Sequence, residues 1–458
     1  MKKLLSASFW LIMAIHVVVF TAIGFFSKSW RLLLIFLVGF AVTLLLSRLL
    51  KRFLRLRAPK TGIRPADRLH SVSEYYFSTK LKEVAQMNAQ GKNVISLGIG
   101  SPDMPPSEET ICALCTDAQK PDAHGYQSYV GIPALREAFA AFYQKNYNVS
   151  LNPETEIQPL IGSKEGILHI SMAFLNVGDG VLIPNPGYPT YTSVSNLVQA
   201  RIIPYDLDEK NAWQPDFSAL EKMNLSGVKL MWANYPNMPT GAPATRELFE
   251  KLVAFGKKHN IVICNDNPYS FIFPHPQPLS FGEGLEARSI LAVEGAKDCC
   301  IELNSLSKSH NMRGWRIGML AANAQFIEWI LRVKSNVDSG IFRSMQTAAV
   351  AALNNSAEWH EKMNVELYRK RRILAEKIMT TLGCTFDPAQ VGMFLWAKIP
   401  ENYASSAELA DKALYEANVF LTPGFIFGSN GERYIRISLC ATEEKLQEAL
   451  NRIEMSLR

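Results

Sequence analysis

From residue 181 to residue 303, short apolar runs alternate with longer segments of helical period. Val181-Leu182-Ile183, Ala200 to Pro204, Lys229 to Ala233, Ile261 to Asn265 and Cys300 to Leu303 have the length of strands. Between them lie patterns such as Thr245 to His259, which puts Leu248, Leu252, Val253 and Phe255 on one face of a helix. Strands separated by helices are joined by crossovers, and crossovers link parallel strands. The alternation therefore predicts an α/β domain on a largely parallel sheet. Ligands bind such sheets beyond the carboxyl ends of the strands. The loops there are Pro184-Asn185-Pro186-Gly187-Tyr188-Pro189, Asn234 to Gly241, Asp266-Asn267-Pro268-Tyr269 and Ser305 to Lys308.

The last of these loops opens the run Ser305-Leu306-Ser307-Lys308-Ser309-His310-Asn311-Met312-Arg313-Gly314-Trp315-Arg316-Ile317-Gly318. A lysine that acts as an amine nucleophile needs a pocket in which it can lose its proton. Arg316 carries the planar fork that suits a phosphate. An amine for an aldehyde beside an arginine for a phosphate describes pyridoxal 5′-phosphate; an ordinary basic loop with glycine turns is the other reading of this run taken alone.

Two further stretches suit a ligand. Leu97-Gly98-Ile99-Gly100-Ser101-Pro102-Asp103 lets the backbone approach a ligand closely, although a plain turn has the same composition. Ile161-Gly162-Ser163-Lys164-Glu165-Gly166 opens a helical run through Leu175 and offers unpaired N–H groups to an anion. Gly125-Tyr126-Gln127-Ser128-Tyr129-Val130-Gly131 precedes a helix opened by Pro133.

The net charge of +6 is unevenly spread. Residues 1–60 hold ten Lys and Arg and no acidic residue, which leaves 38 basic against 42 acidic in the remainder. A slightly acidic body argues against nucleic acid as a partner. Leu4 to Phe26 has no charge and Leu32 to Leu46 nearly repeats it, with Lys2 and Lys3 before the pair and Arg48, Lys51, Arg52, Arg55, Arg57 and Lys60 after it. The expectation is a helical hairpin over residues 4–50 in the inner (cytoplasmic) membrane, both ends and the catalytic domain on the cytoplasmic side. A signal peptide is one alternative. A mis-assigned start, leaving a cytoplasmic protein, is another. Seven cysteines read as reduced thiols, and Cys112 and Cys115 as the buried face of a helix rather than a metal site.

The expected boundaries are a membrane anchor over 1–60, an N-terminal segment of a small domain over 61–115, a large domain over 116–345 and a C-terminal α+β small domain over 346–458. Ser73 to Met87 reads as an amphipathic helix. Glu358 to Leu382 reads as a long helix whose Arg369-Lys370-Arg371-Arg372 lies on a solvated face.

With its loops in this order, the chain from about Arg68 onward resembles the class I/II aminotransferases, the fold-type I enzymes that use pyridoxal phosphate. The resemblance rests on Ser305-x-x-Lys308 with Arg316 eight residues on, in the form Asn311-Met312-x-Gly314-Trp315-Arg316-x-Gly318. It implies that Lys308 joins the cofactor's aldehyde and later moves the substrate proton. It also implies that Ser305, Arg316, Ser163 and Lys164 hold the phosphate, that Asp266 pairs with the pyridine nitrogen, that Tyr269 bonds the 3′-oxygen and that Tyr188 stacks on the ring. Arg436 and Gly100 resemble the clamp for the substrate α-carboxylate. Tyr126 resembles the tyrosine that reaches a neighbouring subunit's phosphate, which implies a homodimer. No metal is implied.

One departure stands out. The family reads Asn-Pro-Thr-Gly where this chain has Met238-Pro239-Thr240-Gly241. A thioether cannot donate a hydrogen bond. Either Tyr269 alone then holds the 3′-oxygen, or Asn237 turns in to replace the missing donor. The expected activity is ping-pong transamination between an L-amino acid and a 2-oxo acid. β-Elimination of sulfur amino acids on the same fold and a non-catalytic, membrane-anchored binding protein are the alternatives. Arg343 meets either a dicarboxylate substrate or an acidic neighbour. Phe394 and Tyr75 are candidates for the pocket wall.

Overall fold

A computed structural model describes residues 62–72, 76–272 and 289–457. The expected hairpin over residues 4–50 and Tyr75 lie outside these residues. Among the described residues no helix is long and apolar enough to cross a membrane.

From Asp67 onward the strands are β1 (Ile95–Ser96), β2 (Ile157–Leu160), β3 (Gly180–Asn185), β4 (Arg201–Asp206), β5 (Val228–Ala233), β6 (Val262–Asp266), β7 (Cys300–Ser305), β8 (Gly318–Ala321), β9 (Phe394–Lys398), β10 (Val419–Phe420), β11 (Thr422–Pro423) and β12 (Tyr434–Ser438). Seven of them form one sheet in the order β2-β8-β7-β6-β5-β3-β4. β4, β3, β5, β6 and β7 run parallel, and β8 runs antiparallel to both β7 and β2. The five expected strands are all present; β2 and β8 complete the sheet.

Alternate residues of the central strands feed two separate cores. Leu182, Met231, Ala233 and Ile263 pack on one side. Val181, Ile183, Leu230, Trp232 and Cys264 pack on the other. Helices cover both faces, so these strands bury apolar side chains on both sides and lack the regular polar alternation of a half-exposed sheet. The helix Arg246–His259 shows how local sequence sets an element. Thr245 Oγ1 accepts from Leu248 N at 3.2 Å and Asn260 ends the helix at φ 54°. Its face of Leu248, Phe249, Leu252, Val253 and Phe255 is buried, each such side chain contributing about 1.5–3 kcal/mol.

The remaining strands form two small sheets. β11, β12 and β9 are antiparallel, while β1 pairs with β10 across more than 300 residues of sequence. The helices Leu367–Thr381, Ser406–Ala417 and Glu443–Ser456 accompany them.

Two expectations need correcting. The helix Glu108–Ala118 forms, but it buries Thr110 and Asp117 and leaves Cys112 and Cys115 exposed. The long helical stretch after residue 357 also forms, yet Arg371 and Arg372 lie inside. Arg371 donates to both oxygens of Asp103 at 2.7 and 2.8 Å, and Arg372 to Glu376 at 2.7 Å and to the Pro388 carbonyl at 2.7 Å. Their guanidinium groups find acceptors on neighbouring elements, which a pattern of charges along one helix does not reveal.

Candidate active site

Strand register gathers the site. Gly318 at the start of β8 pairs with Leu160 on one side and Ser305 on the other. The turn after β2, the turn after β7 and the segment leading into β8 therefore meet at one end of the sheet. Asp266 ends β6, Asn234 follows β5 and Tyr188 follows β3, so the parallel strands deliver their residues to the same end. Together they line a cavity of about 750 Å³.

Lys308 sits in a four-residue helix, Leu306–Ser309, capped by Ser305, whose Oγ accepts from Ser307 N at 3.1 Å. Its ammonium donates to the Gly100 carbonyl. Loss of hydration pushes its pKa down, helped by the charges of Arg436, Arg316 and Arg313 and opposed by Cys440. These surroundings favour the neutral amine that a nucleophile requires. Glycine at position 100 makes room for the Phe394 ring, since a Cβ there would meet Phe394 Cζ at 2.3 Å.

Asp266 is buried. One oxygen accepts from Tyr191 OH at 2.9 Å, and Oδ1 has no hydrogen-bond partner among the described residues. Burial pushes its carboxyl up to about 6, against the lowering effect of that hydrogen bond. Tyr191 stacks on Trp232 at 4.9 Å, and Tyr188 meets Tyr191 edge-on at 5.5 Å. Lys164 lies over the Tyr188 ring at 5.9 Å.

The helix Ser163–Phe174 begins at the cavity. Ser163 Oγ is buried without a hydrogen-bond partner among the described residues. Gly162 has φ +81°, and a Cβ there would stand 2.2 Å from Arg316 Nη2, so only glycine admits both the turn and the arginine. Arg316 also donates to Ser307 Oγ at 3.3 Å.

Arg436, on β12, is buried with its guanidinium carbon 3.9 Å from the Phe394 ring centre and 4.6 Å from that of Phe427. It donates to the Gly98 carbonyl at 2.9 Å and to Met238 Sδ at 3.2 Å. Tyr269 lines the same cavity, packed edge-on against Phe394, and burial drives its hydroxyl far above the ordinary range.

The cavity thus brings together Gly100, Ser163, Lys164, Tyr188, Asp266, Tyr269, Ser305, Lys308, Arg316 and Arg436 from the expected set. Asn237 does not join them. Its amide donates to the Asn234 carbonyl at 3.1 Å and its oxygen accepts from Thr240 Oγ1 at 2.8 Å, so the side chain closes its own turn instead of filling the place left by Met238. Tyr126 is 95% exposed. Arg343 grips Asp122 at 2.8 and 2.9 Å and Asp117 at 3.1 and 3.3 Å; the acidic-neighbour reading is the one observed. Phe394 is in the cavity wall, as are Tyr191, Asn234, Ser307 and Arg313, which sequence reasoning did not select. Tyr191 had a weak signal, three residues after Tyr188 on one helical face.

Two orphaned polar atoms test whether pyridoxal phosphate suits these residues. Asp266 Oδ1 is a buried acceptor awaiting a donor such as a ring N–H, and Ser163 Oγ, at a helix start beside Arg316, awaits an acceptor such as a phosphate oxygen. The donor set fits the cofactor.

Comparison with known proteins agrees. Residues 92–453 match the family model of class I and II aminotransferases. The chain is 41% identical over 389 residues to an LL-diaminopimelate aminotransferase of Dehalococcoides mccartyi, covering 85% of this chain and 97% of that protein. It is 40% identical over 389 residues to the LL-diaminopimelate aminotransferase of Aquifex aeolicus, covering 85% and 98%. Among solved structures, substrate-bound BacF from Bacillus subtilis superposes with a TM-score of 0.79 at 36% identity, covering 86% of this chain and 98% of that one. With the fold, the cavity and these relatives in agreement, the chain belongs to the class I and II aminotransferase family and is a pyridoxal phosphate-dependent aminotransferase.

Proposed function

We propose that the protein passes the amino group of an L-amino acid bearing a second carboxylate to a 2-oxo acid, in ping-pong order, with LL-diaminopimelate as the leading donor. The observation that carries this reading is the meeting, in one cavity, of an amine of lowered basicity (Lys308), a buried carboxylate with an unused oxygen (Asp266) and a buried arginine on an apolar wall (Arg436). The names of the relatives support the donor. So does Arg313, a cation in the cavity wall that donates to the Met104 carbonyl at 3.2 Å and has no carboxylate partner among the described residues.

Bound pyridoxal phosphate supplies an electron-withdrawing ring that makes the α-proton of an attached amino acid acidic. Arg316, Ser163, Lys164 and Ser305 would hold its phosphate. Tyr188 would cover one face of its ring, and Tyr269 its 3′-oxygen. Asp266, charged at neutral pH, would keep the ring nitrogen protonated. Arg436 and Gly100 orient the substrate α-carboxylate, and Phe394 excludes water around it. Lys308 would serve as the base that takes the proton from the substrate Cα. Tyr126, exposed on this chain, would reach the phosphate site of a second copy in a homodimer.

A panel of donors (LL-diaminopimelate, glutamate, aspartate, alanine) with 2-oxoglutarate, pyruvate and oxaloacetate tests the reading. Transfer from a dicarboxylate donor is expected. Release of ammonia and pyruvate from cystathionine without transfer would indicate a C–S β-lyase, and no turnover with bound cofactor a binding protein. The membrane anchor over residues 1–60 is a proposal from sequence alone. Carbonate-resistant sedimentation with membranes that is lost in a chain starting at residue 61 supports it; a full chain that stays in the soluble fraction overturns it.

A further inference from the structure

Beneath the start of the helix Ser163–Phe174 lies a polar cluster outside the cavity. Glu165, the third residue of that helix, reaches back to accept from the Ile161 N–H and also accepts from His169 Nε2 at 2.8 Å. Lys334, at the end of the helix Ala324–Lys334, donates to the same carboxylate at 3.3 Å and to Asp338, whose other oxygen accepts from Gly340 N at 2.8 Å. The Lys334 and His169 side chains are fully buried, while those of Glu165 and Asp338 are 15% and 13% exposed.

Glu165, His169 and Asp338 have the spacing of a metal site, with ligand atoms within 4.8 Å of one another. The position of the cation is filled, however, by the ammonium of Lys334. Burial works against ionisation of Glu165, but the His169 hydrogen bond, the Lys334 charge, a hydrogen bond with Asp338 and the Ile161 N–H hold its carboxyl at about 2. A glutamate that grips the residue before a helix fixes how the chain enters it. Left unbalanced, its charge would also repel any anion arriving at the helix start one turn away.

We propose that Lys334 and Glu165 are positioning residues for the phosphate of the cofactor: Glu165 fixes the turn Ile161–Lys164, and the buried ammonium of Lys334, shared with Asp338, offsets part of the negative charge beneath it. The inference rests on the reading that this turn receives the phosphate. Neither side chain lines the cavity, so both act through the backbone and the field at Gly162, Ser163 and Lys164.

The test compares equilibrium binding of pyridoxal 5′-phosphate and of pyridoxal, which lacks the phosphate, to the cofactor-free full chain by absorbance titration. Both ligands use Lys308, so their affinity ratio isolates the phosphate. The ratio is expected to fall at least tenfold in Lys334→Met and in Glu165→Ala, and to be kept in Lys334→Arg. A change confined to the fold would weaken both ligands together. If Lys334→Met does not fold, Glu165→Ala decides alone. A ratio unchanged in any folded variant of the first pair overturns the inference while leaving the phosphate site intact. A wild-type protein that binds both ligands equally overturns the phosphate reading and the inference with it.

Discussion

Met238 matters for what it cannot do. It stands in the cavity wall where the family carries an asparagine, and its sulfur accepts from Arg436 instead of donating toward a cofactor oxygen. A donor beside the 3′-oxygen favours its anionic form, and Met238 withholds one. Introducing Met238→Asn is expected to lower, by about one unit, the pKa at which the visible band of the loaded protein changes, the scale of one hydrogen bond to a charged group. Equal spectral titrations of both proteins would show the position to be silent. Asp266 makes a second prediction at this scale. Its carboxyl lies at about 6 in the folded chain against an ordinary 3.8, so between these values the folded state holds a proton the unfolded chain has lost. In the cofactor-free protein its contribution to stability is therefore full below about pH 4 and falls as pH rises through about 6, by about 3 kcal/mol. Asp266→Asn removes this dependence. Its urea midpoint should exceed the wild type's above about pH 7, and the gap should close towards about pH 4; a gap independent of pH would count against the argument.

Among elements, the helix Leu367–Thr381 does more than cover a sheet. Its Arg371 holds Asp103, three residues beyond Gly100, and also donates to the Leu439 carbonyl just past β12, three residues from Arg436. One buried guanidinium thus braces both sides of the proposed substrate clamp. Replacing it by Met leaves the Asp103 carboxylate and the Leu439 carbonyl without their donor. Arg371→Met is expected to cost about 3 kcal/mol in denaturant unfolding and to raise KM more than it lowers kcat. A fully stable variant with unaltered KM would remove the brace from consideration. Elements whose signal is local were legible in advance: β3 to β7 as apolar runs, and the helix Arg246–His259 by its stripe and cap. β2 and β8 were not, since four-residue strands are recognisable mainly through their register with β7. Burial of Arg371 and exposure of Cys112 were missed for the same physical reason. Both depend on which neighbour covers a helix face, and a helical period says only that faces exist.

Over the whole molecule, residues whose chemistry is tied to a turn were read correctly as neighbours. Lys308, Asp266, Ser163 and Arg316 sit at strand ends, and the parallel sheet brings strand ends together. Asn237 misled because a buried amide inside a loop can serve the loop itself. Tyr191 and Arg313 escaped notice because the first bonds Asp266 from a helix and the second enters the cavity from the middle of a basic run. The charge pattern carries one more consequence. After residue 60 the chain has 42 acidic residues against 38 basic, yet among the described residues four cations (Lys164, Arg313, Arg316 and Arg436) and the Lys308 amine line a cavity with a single carboxylate, Asp266. Before anything binds, this pocket is a positive well in a faintly negative body, and low-dielectric walls focus such a field outward. Anionic visitors are drawn in faster than diffusion alone would deliver them, and dissolved salt, by flattening the well, slows every one of those encounters.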